Sequence, residues 1–372
     1  MGIFVTVTIS DEKLLFGERL RRARLMRGMT LRDLAERLGK HGASLSHAAL
    51  QKYEKGLMGP DSTVLLALAR TLDLDPGYFF RASEVTLESI EFRKLTKFPM
   101  REVNRVREEA ADYFERYLQI ESILQIHASP LPHVNLSHLA SDDVTALADN
   151  AEKAAQQIRK VWKLGEAALT NVQEMLEEHG VKVKEVEADE TFDGFSGWAD
   201  HCTPVIVLAA WLNQDLPRKR LTALHELGHL VLKLPAGLSH KIKESLCYRF
   251  AGALLLPAEA LRGRVGDKRP DGISFRERIG IKEDWGISIS ALMHRAADLD
   301  IISESRLRSF YIQNRARRKV EPGHWKGSEH ADRYEQLVFR AAAQELITRS
   351  KAAELLGISA REFDHQFASE TN

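Results

Sequence analysis

Between Phe16 and Phe80, apolar residues recur at helical spacing and are broken by glycine and small polar residues, which predicts five short helices. The first is "FGERLRRARLMRG". The second, "TLRDLAERLG", opens at Thr30 with Asp33 three residues on, and both helices end at a glycine. The third, "SHAALQKYEKG", runs from Ser46 to Gly56, and "DSTVLLALARTLDL" with a last turn at "DPGYFF" completes the unit. Leu20, Leu25, Leu31, Leu34, Leu38, Leu50, Tyr53, Leu65, Leu66 and Leu72 supply a small core at helical spacing.

The pattern then changes. A charged helical stretch, "EVNRVREEAADYFERYLQIESIL", is followed by "HASPLPHVNLSH", which reads as a linker. Two helices, "DDVTALADNAEKAAQQIRKVWKLG" and "NVQEMLEEHG", lead into three strands, "VKVKEVE", "FSGWAD" and "PVIVLAAW". After residue 257 helices and loops return, and "SKAAELLGISAREFDHQF" reads as two short helices around Gly357. The expected fold is α+β and mostly helical, with a small central sheet. Four segments are expected: 12–83, the five-helix unit; 84–150, a helical connector; 151–300, the α+β domain; and 301–372, a helical C-terminal region. With 372 residues the chain is long for a single core, which fits this division.

Composition adds little beyond excluding classes. The chain is 44% hydrophobic and 28% charged, with no apolar run approaching the roughly 18 residues of a membrane helix. The opening "MGIFVTVTISDEK" lacks the features of an export signal, and two cysteines are too few for a disulfide framework, so a cytoplasmic protein is expected. Formal net charge is zero, yet residues 1–83 carry 13 Lys/Arg against 9 Asp/Glu, an excess that favours a polyanionic partner there.

The chemistry concentrates in "LTALHELGHLVLKL". His225 and His229 lie four apart, on one face of a helix, where both imidazoles can converge on one ion. Glu226 sits beside the first of them, placed to take a proton from water without being a ligand. Burying three polar groups among leucines is costly unless they share a task. A catalytic zinc takes three protein ligands. The next helix, "KESLCYRFAGALLLP", offers Glu244, with His240 and Cys247 as competitors, Cys247 being the softer donor. The strand "PVIVLAA" is read either as a core strand or as an edge that adds an extended substrate.

"RLTALHELGHLVL" followed by "ESLCYRFAGALLLP" resembles the ImmA/IrrE family of metallopeptidases over roughly residues 150–300. The resemblance implies His225, His229 and Glu244 as ligands of a Zn2+ ion and Glu226 as the catalytic base. Two positions depart from the family: Cys247, where alanine is usual, and Lys233, where a further histidine is common.

The N-terminal unit resembles the helix-turn-helix of the Cro and phage-repressor type, often called XRE. Its matching residues are "GERLRRARLMRGMTLRDLAERLG", "SLSHAALQKYEKG" and "STVLLALARTLDLDPGYFF". By that pattern Ser46, His47, Gln51 and Lys52 face double-stranded operator DNA, and Thr30 starts a helix whose N–H groups meet a phosphate. Arg24 and Glu54 match a pair that ties the first helix to the third, whereas the turn "GKHGAS" is longer than usual. Readers of this type bind two-fold sites, which implies a homodimer. The basic stretch 306–319, with Arg315, Arg317, Arg318 and Lys319, is a further phosphate-contact candidate. "ITRSKAAELLGISAREFDHQF" looks like a second helix-turn-helix and is read as a cap or interaction element.

Together the two resemblances imply a DNA-binding regulator fused to a zinc endopeptidase that cleaves a repressor-type protein in a stress, mobile-element or toxin–antitoxin circuit. The competing reading is a transcription factor or antitoxin-like regulator that keeps the peptidase fold as a sensor or scaffold. No membrane partner is expected.

Overall fold

A computed structural model describes residues 9–81, 85–88, 99–127, 130–314 and 321–370. The backbone divides into two compact units, one drawing on residues 1–87, 92–126 and 334–372 and the other on 88–91 and 127–333.

In the first unit, helices Ile9–Met26, Leu31–Gly39, His47–Glu54 and Ser62–Leu72 and a 3-10 turn Pro76–Phe80 follow the spacing of the sequence. Phe16, Leu20, Leu34, Leu38, Leu50, Leu68, Leu72 and Phe79 are buried together. Thr30 and Asp33 form a reciprocal capping box, and Ser46 and Asp61 cap the next two helices through their side chains. Gly17 is required by packing: a Cβ there would lie 2.4 Å from the Tyr53 carbonyl oxygen. Leu66, expected in the core, is instead 45% exposed. It follows Val64 by two residues and so falls on the opposite side of a helix whose buried face runs through Val64, Ala67, Leu68 and Leu72.

The helix Met100–Ile123 belongs to this unit through its packing. Arg19, fully buried on the first helix, donates to both oxygens of Glu115, at 2.9 and 2.6 Å, and to the carbonyl of Arg81. Charged residues in this stretch therefore do structural work inside the unit. The C-terminal pair, Arg349–Leu356 and Ala360–Glu370, turns at Gly357 with φ +71°. Arg81 donates to Glu354 at 2.7 Å, Arg116 donates to the carbonyl of Leu355, and so does the Tyr334 hydroxyl, at 2.6 Å. The second helix of the pair buries Phe363 and leaves Arg361, Glu362 and Asp364 outward, an acidic balance poorly suited to phosphates.

In the second unit, strands Lys182–Val186, Gly194–Ala199 and Thr203–Ala209 form as expected. Thr203–Ala209 pairs parallel with Lys182–Val186 on one side and antiparallel with Gly194–Ala199 on the other, Ser196 opposite Ile206. Both of its edges are committed, so it is a core strand and cannot add an extended substrate. Helices Val144–Val161, Leu216–Val231 and His240–Leu255 pack with the sheet around Leu147, Ile158, Ile206, Leu224, Leu227 and Phe250. The stretch read as a linker is partly ordered pairing: Val134–Asn135 runs parallel to Leu232–Lys233, at the end of the motif helix.

Candidate metal centre and DNA-reading face

The helix Leu216–Val231 begins with the Asp215 side chain capping Arg218 and a proline in its first turn. It buries almost every residue from Thr222 to Leu230, His225 and Glu226 included, because the sheet and the helix His240–Leu255 cover both flanks. The two helices approach closely at Gly228, where an added Cβ would stand 3.2 Å from the Cβ of Cys247. That crossing brings Glu244, in the second turn of its helix, over the two histidines.

The Nε2 atoms of His225 and His229 are 3.2 Å apart. Glu244 lies 3.3 Å from the first of them through Oε2 and 3.1 Å from the second through Oε1. Ligands about 2.0–2.1 Å from a tetrahedral ion stand about 3.3 Å from one another, so these three donors already have the spacing of one face of such a site. Two imidazoles and a carboxylate are also a donor set that suits zinc. Among the described residues, this is the one His/Cys/Asp/Glu group of three or more with metal-binding spacing. Burial opposes protonation of His229, but Cys247 and Glu244 beside it push its pKa up to about 10.

The competing ligand candidates fall elsewhere. His240 is half exposed, with Nδ1 3.8 Å from Glu244 Oε1. Cys247 Sγ meets the other nitrogen of His229, Nδ1, at 3.6 Å. Burial pushes its thiol up, so it stays protonated. Lys233 is exposed.

Two residues at this centre were not singled out from the sequence. Ser196, buried on the strand Gly194–Ala199, donates its hydroxyl to Glu226 Oε2 at 2.9 Å. Its strand alternation signals an inward side chain, but nothing local names its partner thirty residues away. Tyr248, four residues after Glu244, lays its ring 4.0 Å from the ring of His225 while remaining 51% exposed. The i, i+4 step from Glu244 was a usable signal for it.

On the N-terminal unit, Thr30, Ser46, His47, Gln51 and Lys52 are all exposed. His47 and Gln51 share one face at i, i+4 in the first turns of the helix His47–Glu54. Ser46 accepts from the Ala49 amide at 3.2 Å, and the Thr30 amide donates to Asp33 at 2.8 Å. The Thr30 N–H is thus already committed, and a phosphate there is left the later amides of that turn. Arg24 grips Glu54 through two hydrogen bonds of 2.6 and 2.9 Å and the Met29 carbonyl through a third, fixing the reading helix to the first. Arg315, Arg317, Arg318 and Lys319 lie outside the described residues.

Residues 20–79 match a helix-turn-helix family model, and residues 176–297 match the IrrE N-terminal-like domain of the M78 peptidases. The chain fuses these two domains. No curated protein and no solved structure matches it. The IrrE-like match begins in the helix Val172–Glu178 and runs to the helix Ile289–Asp298, so it spans the three strands, the HELGH helix and the helix of Glu244. The match to a metallopeptidase family points to a metal in this domain, and His225, His229 and Glu244 are the group spaced to hold one. Among the described residues, no helix is long and apolar enough to cross a membrane.

Just before the HELGH motif, the IrrE-like domain carries a buried anchor. Arg220 donates to Glu329 and to the carbonyl of Leu169, and its guanidinium lies 3.9 Å from the ring centre of Trp325. Glu329 also accepts from the amides of Val172 and Gln173. A strap from residues 321–333 thereby ties the motif helix to the start of Val172–Glu178.

Proposed function

We propose that this chain is a DNA-binding regulator whose IrrE-like domain is a zinc-dependent endopeptidase cleaving a helix-turn-helix repressor in a stress, mobile-element or toxin–antitoxin circuit. The observation that carries the reading is the spacing of His225, His229 and Glu244 together with a base held in place: Glu226 is buried and oriented by the Ser196 hydroxyl. His225, His229 and Glu244 would hold a zinc ion, which would supply Lewis-acid polarisation of a scissile carbonyl and a water that ionises at a pH of about 7.

The remaining work belongs to side chains. With Oε2 engaged by Ser196, Glu226 takes the proton of the attacking water on Oε1 and hands it to the leaving amine. The shell of Leu224, Leu227 and Phe250 excludes bulk water and strengthens each polar contact. Tyr248, exposed above His225, lines the approach of a peptide. The reading helix, with His47, Gln51 and Lys52 outward, brings the chain to an operator, where a repressor of the same type is the substrate at hand; a homodimer on a two-fold site is part of this reading.

A scaffold without turnover has no use for a hydrogen-bonded carboxylate beside the ligands, and burying one costs stability. The test is incubation of the zinc-loaded full chain with a panel of helix-turn-helix repressors from the same cell, followed by intact-mass analysis. Cleavage by the wild type and none by Glu226→Gln supports the endopeptidase. A zinc-loaded wild type that leaves every such repressor intact under inducing conditions rejects it in favour of the sensor.

A further inference from the structure

We infer that Cys247 is a positioning residue of the metal centre: its sulfur receives the Nδ1–H of His229 and so fixes the tautomer that presents Nε2 to a divalent cation. The inference rests on the reading of His225, His229 and Glu244 as the cation's ligands.

A neutral imidazole donates from one nitrogen and accepts at the other, and the partner of the donor decides which is which. On His229 the nitrogen turned toward the cluster is Nε2, 3.2 Å from His225 Nε2 and 3.1 Å from Glu244 Oε1. The atom facing Nδ1 is Cys247 Sγ, at 3.6 Å, within the range of a sulfur hydrogen bond. The sulfur is therefore on the ring edge away from the ligand atoms, which makes it a support for a ligand and not a competitor for the ion.

Its placement is enforced by the backbone. Cys247 is fully buried, three residues after Glu244 on the same helix, and Gly228, next to His229, lets the two helices close until Cys247 and Gly228 are in contact. Alanine in its place would keep the helix and remove only the acceptor. Tyr248, the next residue, packs its tilted ring against His225, so one turn of this helix supports both histidines while supplying the third ligand.

Outer-shell partners of ligating histidines are worth about 10- to 100-fold in metal affinity, and a weakly accepting sulfur belongs at the lower end. The experiment strips full-length protein of metal and titrates zinc against a chromophoric chelator for wild type, Cys247→Ala, Cys247→Ser and His229→Ala, with thermal melts confirming that each variant is folded. The expected result is about tenfold weaker binding for Cys247→Ala. Cys247→Ser, whose hydroxyl accepts the same N–H, recovers most of it, and His229→Ala has no tight site. Wild-type affinity in both Cys247 variants, with binding lost in His229→Ala, overturns the inference and leaves the metal centre standing. Failure of the wild type to bind zinc, or full binding by His229→Ala, removes the metal centre and this inference with it. A thiolate-to-cobalt charge-transfer band in the cobalt-substituted wild type would make Cys247 a ligand and overturn its supporting role.

Discussion

Replacing Glu329 with alanine removes one carboxylate from a fully buried arrangement. Its side chain and that of Arg220 are both shielded from solvent, and besides Arg220 it accepts from the amides of Val172 at 3.0 Å and Gln173 at 3.1 Å. The truncation leaves a guanidinium with no counter-charge, still held against the Leu169 carbonyl and the Trp325 ring. Breaking one side of a buried ion pair costs about 3–5 kcal/mol. For a unit of this size each kcal/mol moves the midpoint by about 2–4 °C, so the melt of the IrrE-like unit should fall by roughly 6–20 °C. Differential scanning calorimetry of the full chain reads it directly. A paired change, Arg220→Met with Glu329→Leu, removes both charges and should be less damaging than Glu329→Ala alone. If Glu329→Ala melts within about 1 kcal/mol of the wild type, or if the pair is the worse of the two, the buried anchor is not what holds the motif helix.

Three further outcomes follow from particular contacts. Ser196→Ala removes a hydrogen bond to a charged group, worth about 1.5–3 kcal/mol, so repressor cleavage should slow about 10- to 100-fold in kcat while zinc content stays at the wild-type level; equal rates would show that Glu226 needs no such support. In protein kept free of metal, the raised His229 pKa of about 10 means that the protonated histidine stabilises the fold fully below its ordinary value near 6.5. That contribution is lost as pH rises toward 10, so chelated wild type should lose more stability over this window than chelated His229→Ala, as followed by urea unfolding at a series of pH values. On the reading helix, Lys52→Ala should weaken operator and non-operator DNA alike and lower the salt slope by about one, while Gln51→Ala should relax base preference by about 1–3 kcal/mol, both measured by fluorescence anisotropy across salt.

What the sequence made legible is what neighbours within a turn or two decide. The Thr30/Asp33 capping box, the Ser46 and Asp61 caps, the three strands and the face shared by His225 and His229 all follow from local spacing. The pair Arg24–Glu54 was legible too, through the family pattern. Partners chosen by packing across long separations were not: Glu329 meets Arg220 over 109 residues, and Glu115 meets Arg19 over 96. The charged stretch within the helix Met100–Ile123 pointed to no partner, because charges along a helix carry no mark of what they will pair with. Leu66 was misplaced for a different reason, since a helix rich in leucine offers two plausible faces and only the tertiary contacts select one. At the metal centre the histidines were spaced by the helix itself, whereas Ser196 reaches Glu226 only once the sheet has closed on that helix.

The central claim is that two histidines and a glutamate from adjoining helices hold one catalytic zinc. Elemental analysis of full-length protein purified without added chelator tests it in one measurement across four forms. About one zinc per chain in the wild type and in Glu226→Gln, with little or none in His229→Ala and Glu244→Ala, is the predicted result. A wild type devoid of metal, or a Glu244→Ala protein that keeps its zinc, contradicts it.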